Sequence, residues 1–141
     1  KMDFNQNVTF TSNCNFPSYC FAPYPASQYT VIPDSLFELR LIGIGLDSIH
    51  DGYVLKSNIM NIDSLDVSNF GIYDLTGIED FINMTYLNCS ANQIVNLDLS
   101  QNSALSYVDC SNNQINNLLF SQKKAQSTLK TLNCNQNQIS T

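Results

Sequence analysis

Residues 84–94, MTYLNCSANQI, decide how this chain is to be read, because they return as 105–115, LSYVDCSNNQI, and again as 129–139, LKTLNCNQNQI. The shared template is L-x-x-L-x-C-x-x-N-x-I. It is filled by Met84, Leu87, Cys89, Asn92 and Ile94, by Leu105, Val108, Cys110, Asn113 and Ile115, and by Leu129, Leu132, Cys134, Asn137 and Ile139. An imperfect copy lies upstream at 62–72, IDSLDVSNFGI, where Phe70 stands in the Asn position. The copies begin 22, 21 and 24 residues apart. A unit that short has no way to bury its own apolar side, so stacking of successive units into one continuous core is the stable arrangement.

Within each copy the apolar residues alternate with polar ones, the period of a short strand. Stacked copies then form a parallel sheet. Between the copies a second apolar pattern, Leu75 and Ile78, then Leu97 and Leu99, then Leu118 and Phe120, is expected to line the opposite wall. Upstream, Pro33 to Leu46 reads as a helix. Asp34 is a suitable N-cap, Glu38 suits the positive end of the dipole, and Gly43 and Gly45 end the element. A helix there would close the open end of the core, as a solenoid requires. The fold class expected is an α/β solenoid with short parallel strands on one face, an irregular or strand-like opposite wall and an N-terminal helical cap. Residues 1–28 are then an N-terminal segment, 29–61 the cap and 62–141 about four repeats. The last repeat stops at Thr141 without a capping element, so the array is expected to continue beyond it.

The run LDVSNFGIYDLTGIEDFINMTYLNCSANQI, with LDLSQNSALSYVDCSNNQI and LKTLNCNQNQI after it, resembles the short leucine-rich repeats of surface and secreted proteins from Bacteroidetes. Its DLTGIEDFINMTYL portion is similar to internalin repeats. That resemblance covers roughly residues 29 to 141 and implies a secreted or outer-surface location.

Composition narrows the partners. Ten of the 12 acids lie between Asp3 and Asp80, against only Lys1, Arg40 and Lys56. With so few cations the chain has little means of neutralising phosphates, which disfavours nucleic acid and anionic membranes. No apolar run approaches the length of a membrane span, so direct membrane insertion is not expected.

Few residues offer chemistry. Cys89, Cys110 and Cys134 share one inward template position and read as buried thiols, because a parallel ladder spreads them along an axis and does not converge them on a metal. Cys14 and Cys20, in SNCNFPSYC with Pro17 between them, are expected to form a local disulfide. One disulfide and three core thiols account for the odd count of five. His50 has acidic neighbours in Asp47 and Asp51 but no nucleophile motif, and it reads as part of a surface turn. Asn92, Asn113 and Asn137 are read as satisfying backbone groups in the turn that leaves each strand. No catalytic residue, metal site or cofactor is expected, and the chain is not read as an enzyme.

The outward residues of the strands remain: Ser64, Asp66 and Ser68; Tyr86, Asn88 and Ser90; Tyr107, Asp109 and Ser111; Thr131, Asn133 and Asn135. Stacking makes the two tyrosines neighbours beside an Asp/Asn column. Aromatic surface next to hydrogen-bonding groups suits a protein or polysaccharide ligand. Asp66, Tyr86, Asn88, Tyr107, Asp109 and Asn133 are the binding residues expected. The competing role is a structural spacer or stalk, or an accessory region of a larger secreted protein.

Overall fold

A computed structural model describes residues 25–121 and 128–139. The expected disulfide of Cys14 and Cys20 lies outside the described residues.

The first described element, strand β1 (Tyr29–Val31), pairs antiparallel with β2 (Tyr53–Leu55), with Tyr29 opposite Leu55 and Val31 opposite Tyr53. Between them runs helix α1 (Ser35–Gly43). Its N-cap, Asp34, is fully buried and uses both carboxylate oxygens. Oδ1 accepts the N–H groups of Leu36 and Phe37 at 2.8 and 3.0 Å, satisfying donors left free by the first helical turn. Oδ2 accepts from Tyr73 and Asp74 at 2.9 and 3.0 Å, which ties the helix to the first coil of the repeat array. Gly45, at φ 81°, turns the chain so that the Leu46 N–H returns to the Leu41 carbonyl at 2.9 Å. Phe37 and Leu41 enter the core, while Leu36 and Leu39 on the other face stay exposed. A second short helix, α2 (Lys56–Ile59), follows β2 and buries Ile59.

Four strands then recur once per copy: β3 (Ser64–Asp66), β4 (Tyr86–Asn88), β6 (Tyr107–Asp109) and β8 (Thr131–Asn133). They form one parallel sheet in the order β3-β4-β6-β8. Template positions match across it, so Leu65, Leu87, Val108 and Leu132 stand opposite one another. The opposite wall carries β5 (Asn96–Leu99) and β7 (Asn117–Phe120), also parallel, with Leu97 against Leu118 and Leu99 against Phe120. In the first coil the wall residues Leu75 and Ile78 are buried without a strand, and a 3-10 turn (Ile78–Asp80) takes its place. Leu65, Val67, Ile72, Leu87, Cys89, Ile94, Val108, Cys110 and Ile115 fill the space between the walls and are fully buried. At the β8 side the matching residues are more open, with Leu132 40% and Ile139 39% exposed.

The β1–β2 ribbon lies against the turn of the first coil. Gly77 sits at φ 103° with Val31 and Ile32 directly above it, and a Cβ placed there would fall 2.4 Å from Ile32 Cδ1 and 2.8 Å from the Val31 carbonyl. Glycine is therefore required both by backbone conformation and by contact. Thr30 donates its hydroxyl to Asp80, which also pairs with Lys56 at 3.1 Å, so ribbon, α2 and first coil share one carboxylate.

Candidate functional site

Two polar columns run along the main sheet, one beneath it and one on its outer face. The inner column is Asn92, Asn113 and Asn137. Each strand is left through a residue in the left-handed region, Ala91, Asn112 or Gln136 at φ 55°, and the next residue is the column asparagine. The tight turn strands backbone groups inside, where each needs a partner. Asn113 supplies them: its Oδ1 accepts the Ile94 N–H at 3.0 Å, and its Nδ2 donates to the carbonyls of Cys89, Cys110 and Ser111 at 3.0, 3.1 and 3.2 Å. Asn92 accepts from Phe70 and Ile72 and donates to Val67 and Cys89, and Asn137 accepts from Ile115 and donates to Cys110 and Cys134. Each amide thus joins its own coil to the preceding one. In the first copy the position holds Phe70, which is exposed beneath Arg40, whose guanidinium lies 4.9 Å from the ring centroid.

The cysteines form a third column. Cys89 and Cys110 are fully buried, Cys134 partly so. Burial, then the neighbouring thiol and Asp109, pushes Cys89 well above the ordinary thiol value and Cys110 up to about 12. These are protonated packing groups, since the thiolate is the reactive form.

The outer column is Asp66, Asn88, Asp109 and Asn133, aligned by the strand register. Each closes the turn after its strand through Oδ1. Asp66 accepts the Ser68 N–H and hydroxyl at 3.0 and 2.7 Å, Asn88 those of Ser90 at 3.1 and 2.7 Å, and Asp109 those of Ser111 at 3.0 and 2.6 Å. Asn133 accepts the Asn135 N–H at 3.3 Å. Acid and amide alternate, so like charges are never direct neighbours across the sheet. The amides of Asn88 and Asn133 donate to Oδ2 of Asp66 and Asp109 at 3.3 and 3.1 Å. Burial alone would raise both acids. Hydrogen bonds from Ser68 and Asn88, with Arg40 nearby, instead hold Asp66 below the ordinary carboxylate value, and those from Ser111 and Asn133 do the same for Asp109.

Tyr86 and Tyr107 stand two residues before Asn88 and Asp109. Their rings stack with centroids 4.7 Å apart and planes 8° from parallel, at the closer limit of favourable aromatic spacing. Ser64 and Thr131 occupy the same row on either side, so the pair rises between small side chains. The Tyr86 hydroxyl is held above its usual value by burial, by Tyr107 and by the charges of Asp66 and Asp109. All six expected binding residues therefore share one outer face.

Comparison with known proteins adds the lineage. No family model matches the chain. Over 50 residues, 36% of the chain, it is 42% identical to internalin J of Listeria monocytogenes serotype 4b (strain F2365), of which that stretch is 6%. The fold is similar to that of InlJ from Listeria monocytogenes, whose functional domain includes a cysteine ladder: TM-score 0.69 at 30% identity, covering 81% of this chain. The fold is an internalin-like leucine-rich-repeat solenoid. A second internalin, inlF from Listeria monocytogenes strain 4b F2365, shares the solenoid at TM-score 0.66 and 23% identity over 79% of the chain. The internalin-like chain spans 25% of the InlJ structure and 32% of the inlF structure. These matches support the internalin part of the resemblance read from the sequence; its Bacteroidetes part receives no support from them.

One feature of the internalin-like chain escaped the sequence reading. Glu38, expected to serve the helix dipole, is buried at 2% exposure. Its Oε1 accepts the N–H groups of Asp51 and Gly52 at 2.7 and 2.6 Å, and its Oε2 lies 3.1 Å from His50 Nε2. His50 is exposed in the loop, as expected of a surface turn, but its contact is with Glu38 of the helix and not with its sequence neighbours Asp47 and Asp51. A cleft of about 520 Å³ borders this group, lined by Val31, Pro33, Ser35 and Tyr53 among others. The carboxylate is spent on holding the loop, and no short-range pattern in the sequence signals a bond across 13 residues.

Proposed function

We propose that this chain is the recognition part of an extracellular or cell-surface protein, binding a protein ligand on the outer face of its sheet and performing no catalysis. Similarity to two internalins supports a surface interaction module. The observation that carries the choice of face is the stacked Tyr86–Tyr107 pair standing beside the Asp66-Asn88-Asp109-Asn133 column. Tyrosines on a rigid sheet supply contact area at little entropic cost on binding, and aromatic residues are enriched where interfaces concentrate their energy. The α1 helix serves in this reading as the closure of the array, with residues 29–61 as the cap and 62–141 as the repeats.

The competing role is a spacer. It draws on the hydrogen bonds the outer column makes within itself, which would suit a face selected only for turn closure.

The test is binding of the purified chain to an array of surface proteins and glycans, wild type against a Tyr86→Ala/Tyr107→Ala variant whose fold is checked by circular dichroism. Loss of the hit by about tenfold or more, the scale of one interface hot spot, supports the sheet face. A hit that the folded variant retains contradicts it, and a glycan hit in place of a protein hit reassigns the ligand.

A further inference from the structure

We infer that the ligand presents an arginine to the outer sheet face, seated above Asn88 between the carboxylates of Asp66 and Asp109 and against the Tyr86 ring. The inference rests on the sheet-face reading above and names the chemistry of the partner.

The register places the seat. Asp66, Asn88 and Asp109 are adjacent on three consecutive strands, so the two acids flank the amide with about 10 Å between their backbones, twice the strand spacing. Tyr86 stands diagonal to both acids, and both charges act on its hydroxyl. Each acid has already accepted three hydrogen bonds, two at Oδ1 and one at Oδ2. A carboxylate has about four acceptor positions, so each retains roughly one. Two carboxylates that flank one amide in the register, each with an acceptor position left, suit a planar donor with several N–H groups pointing apart. A guanidinium has that shape; a lysine ammonium is a point charge that serves one carboxylate at a time.

Charge favours the same partner. Among the described residues neither Asp66 nor Asp109 is within salt-bridge distance of a lysine or arginine, although Arg40 lies near Asp66. The carboxylates are ionised across the neutral range, and the chain as a whole carries −6. A neutral glycan brings no cation to these carboxylates, and an anionic one is repelled.

The molecule also contains its own precedent. At the β3 edge, Arg40 lies over the exposed Phe70 ring and donates Nε–H to the Asp66 carbonyl at 2.9 Å. An aromatic ring beside an ionised aspartate thus already holds an arginine once. Along the sheet the same pairing recurs at Tyr86, Tyr107 and Asp109 with no arginine of the described chain upon it.

Asp66→Asn/Asp109→Asn is a clean variant, because Asn88 and Asn133 close the same turns with an amide oxygen. The experiment is an NMR titration of the labelled chain with Gly-Ser peptides bearing a single Arg, Lys or Gln. The Arg peptide should give saturable shifts centred on Tyr86, Asn88 and Asp109. The variant should weaken that response about tenfold, and raising salt to several times physiological strength should weaken it too, as expected for exposed charges. The Lys peptide should bind less well and the Gln peptide not at all. Equal shifts with the Gln peptide, shifts centred away from these residues, or an undiminished response in the variant would overturn the inference. The same variant on the array separates the two claims. A protein hit lost in Tyr86→Ala/Tyr107→Ala but kept in Asp66→Asn/Asp109→Asn overturns the arginine seat alone, whereas a hit kept in both removes the sheet face itself.

Discussion

Asn92, Asn113 and Asn137 under the sheet, and Asp66, Asn88, Asp109 and Asn133 above it, are columns of nearly the same short polar side chain repeated at the same period. The inner amides bond backbone groups of two successive coils. The outer side chains close a local turn and bond one another along the column. Burial makes the difference: a polar group cut off from water is expensive to leave unpaired, whereas an exposed one trades its partner for water at small cost. A recurring residue is thus evidence of a recurring place in the fold, and only its surroundings say whether that place builds the molecule or faces a partner.

Substitutions in the two columns should differ accordingly. Asn113→Ala should have the largest effect, because it strands the Ile94 N–H in the interior and takes one donor each from the Cys89 and Cys110 carbonyls, which keep only Asn92 and Asn137. A loss of about 3 kcal/mol is expected, at about 1–3 kcal/mol for the stranded group and about 0.5–1.5 kcal/mol for each further bond lost, read from the midpoint of urea unfolding. Asn137→Ala breaks equivalent bonds in a partly exposed coil and should cost about 1 kcal/mol, since water can replace the lost partner. Equal losses at the two sites would mean that burial is not what separates them.

Acid offers a smaller contrast, confined to the outer column. Asp66 and Asp109 have folded-state values below their unfolded ones, so the stability they add is fully present above the ordinary carboxylate range and is lost as pH falls through their lowered values. Urea midpoints measured from pH 5 to pH 2 should fall more steeply for wild type than for Asp66→Asn/Asp109→Asn. The same slope in both would place the acid sensitivity elsewhere.

Much of this architecture was legible in the sequence. A template that keeps Leu87 over Val108 and Cys89 over Cys110 dictates the sheet register, because a slip of one residue would turn the core positions outward. The opposite wall followed from Leu97, Leu99, Leu118 and Phe120 for the same reason. The first coil was less legible: Tyr29–Val31 pairs antiparallel with Tyr53–Leu55 across a helix, and Asp34 reaches Tyr73 and Asp74 some forty residues on. Such bonds depend on how elements dock, which no local spacing encodes. On the outer face the residues were legible, but the hydrogen bonds from Asn88 to Asp66 and from Asn133 to Asp109 were not, because a list of exposed side chains does not say which of them satisfy one another.

The central claim is that the inner column builds the solenoid while the outer one is free to meet a partner. It is tested most directly by urea unfolding of Asn113→Asp beside Asp109→Asn, two exchanges of the same pair of atoms on opposite sides of one sheet. Asn113→Asp keeps the acceptor for Ile94 but loses three donated bonds and buries a charge, so a loss of about 3 kcal/mol or more is expected, with Asp109→Asn within about 0.5 kcal/mol of wild type. Comparable losses in the two variants would contradict the division of roles.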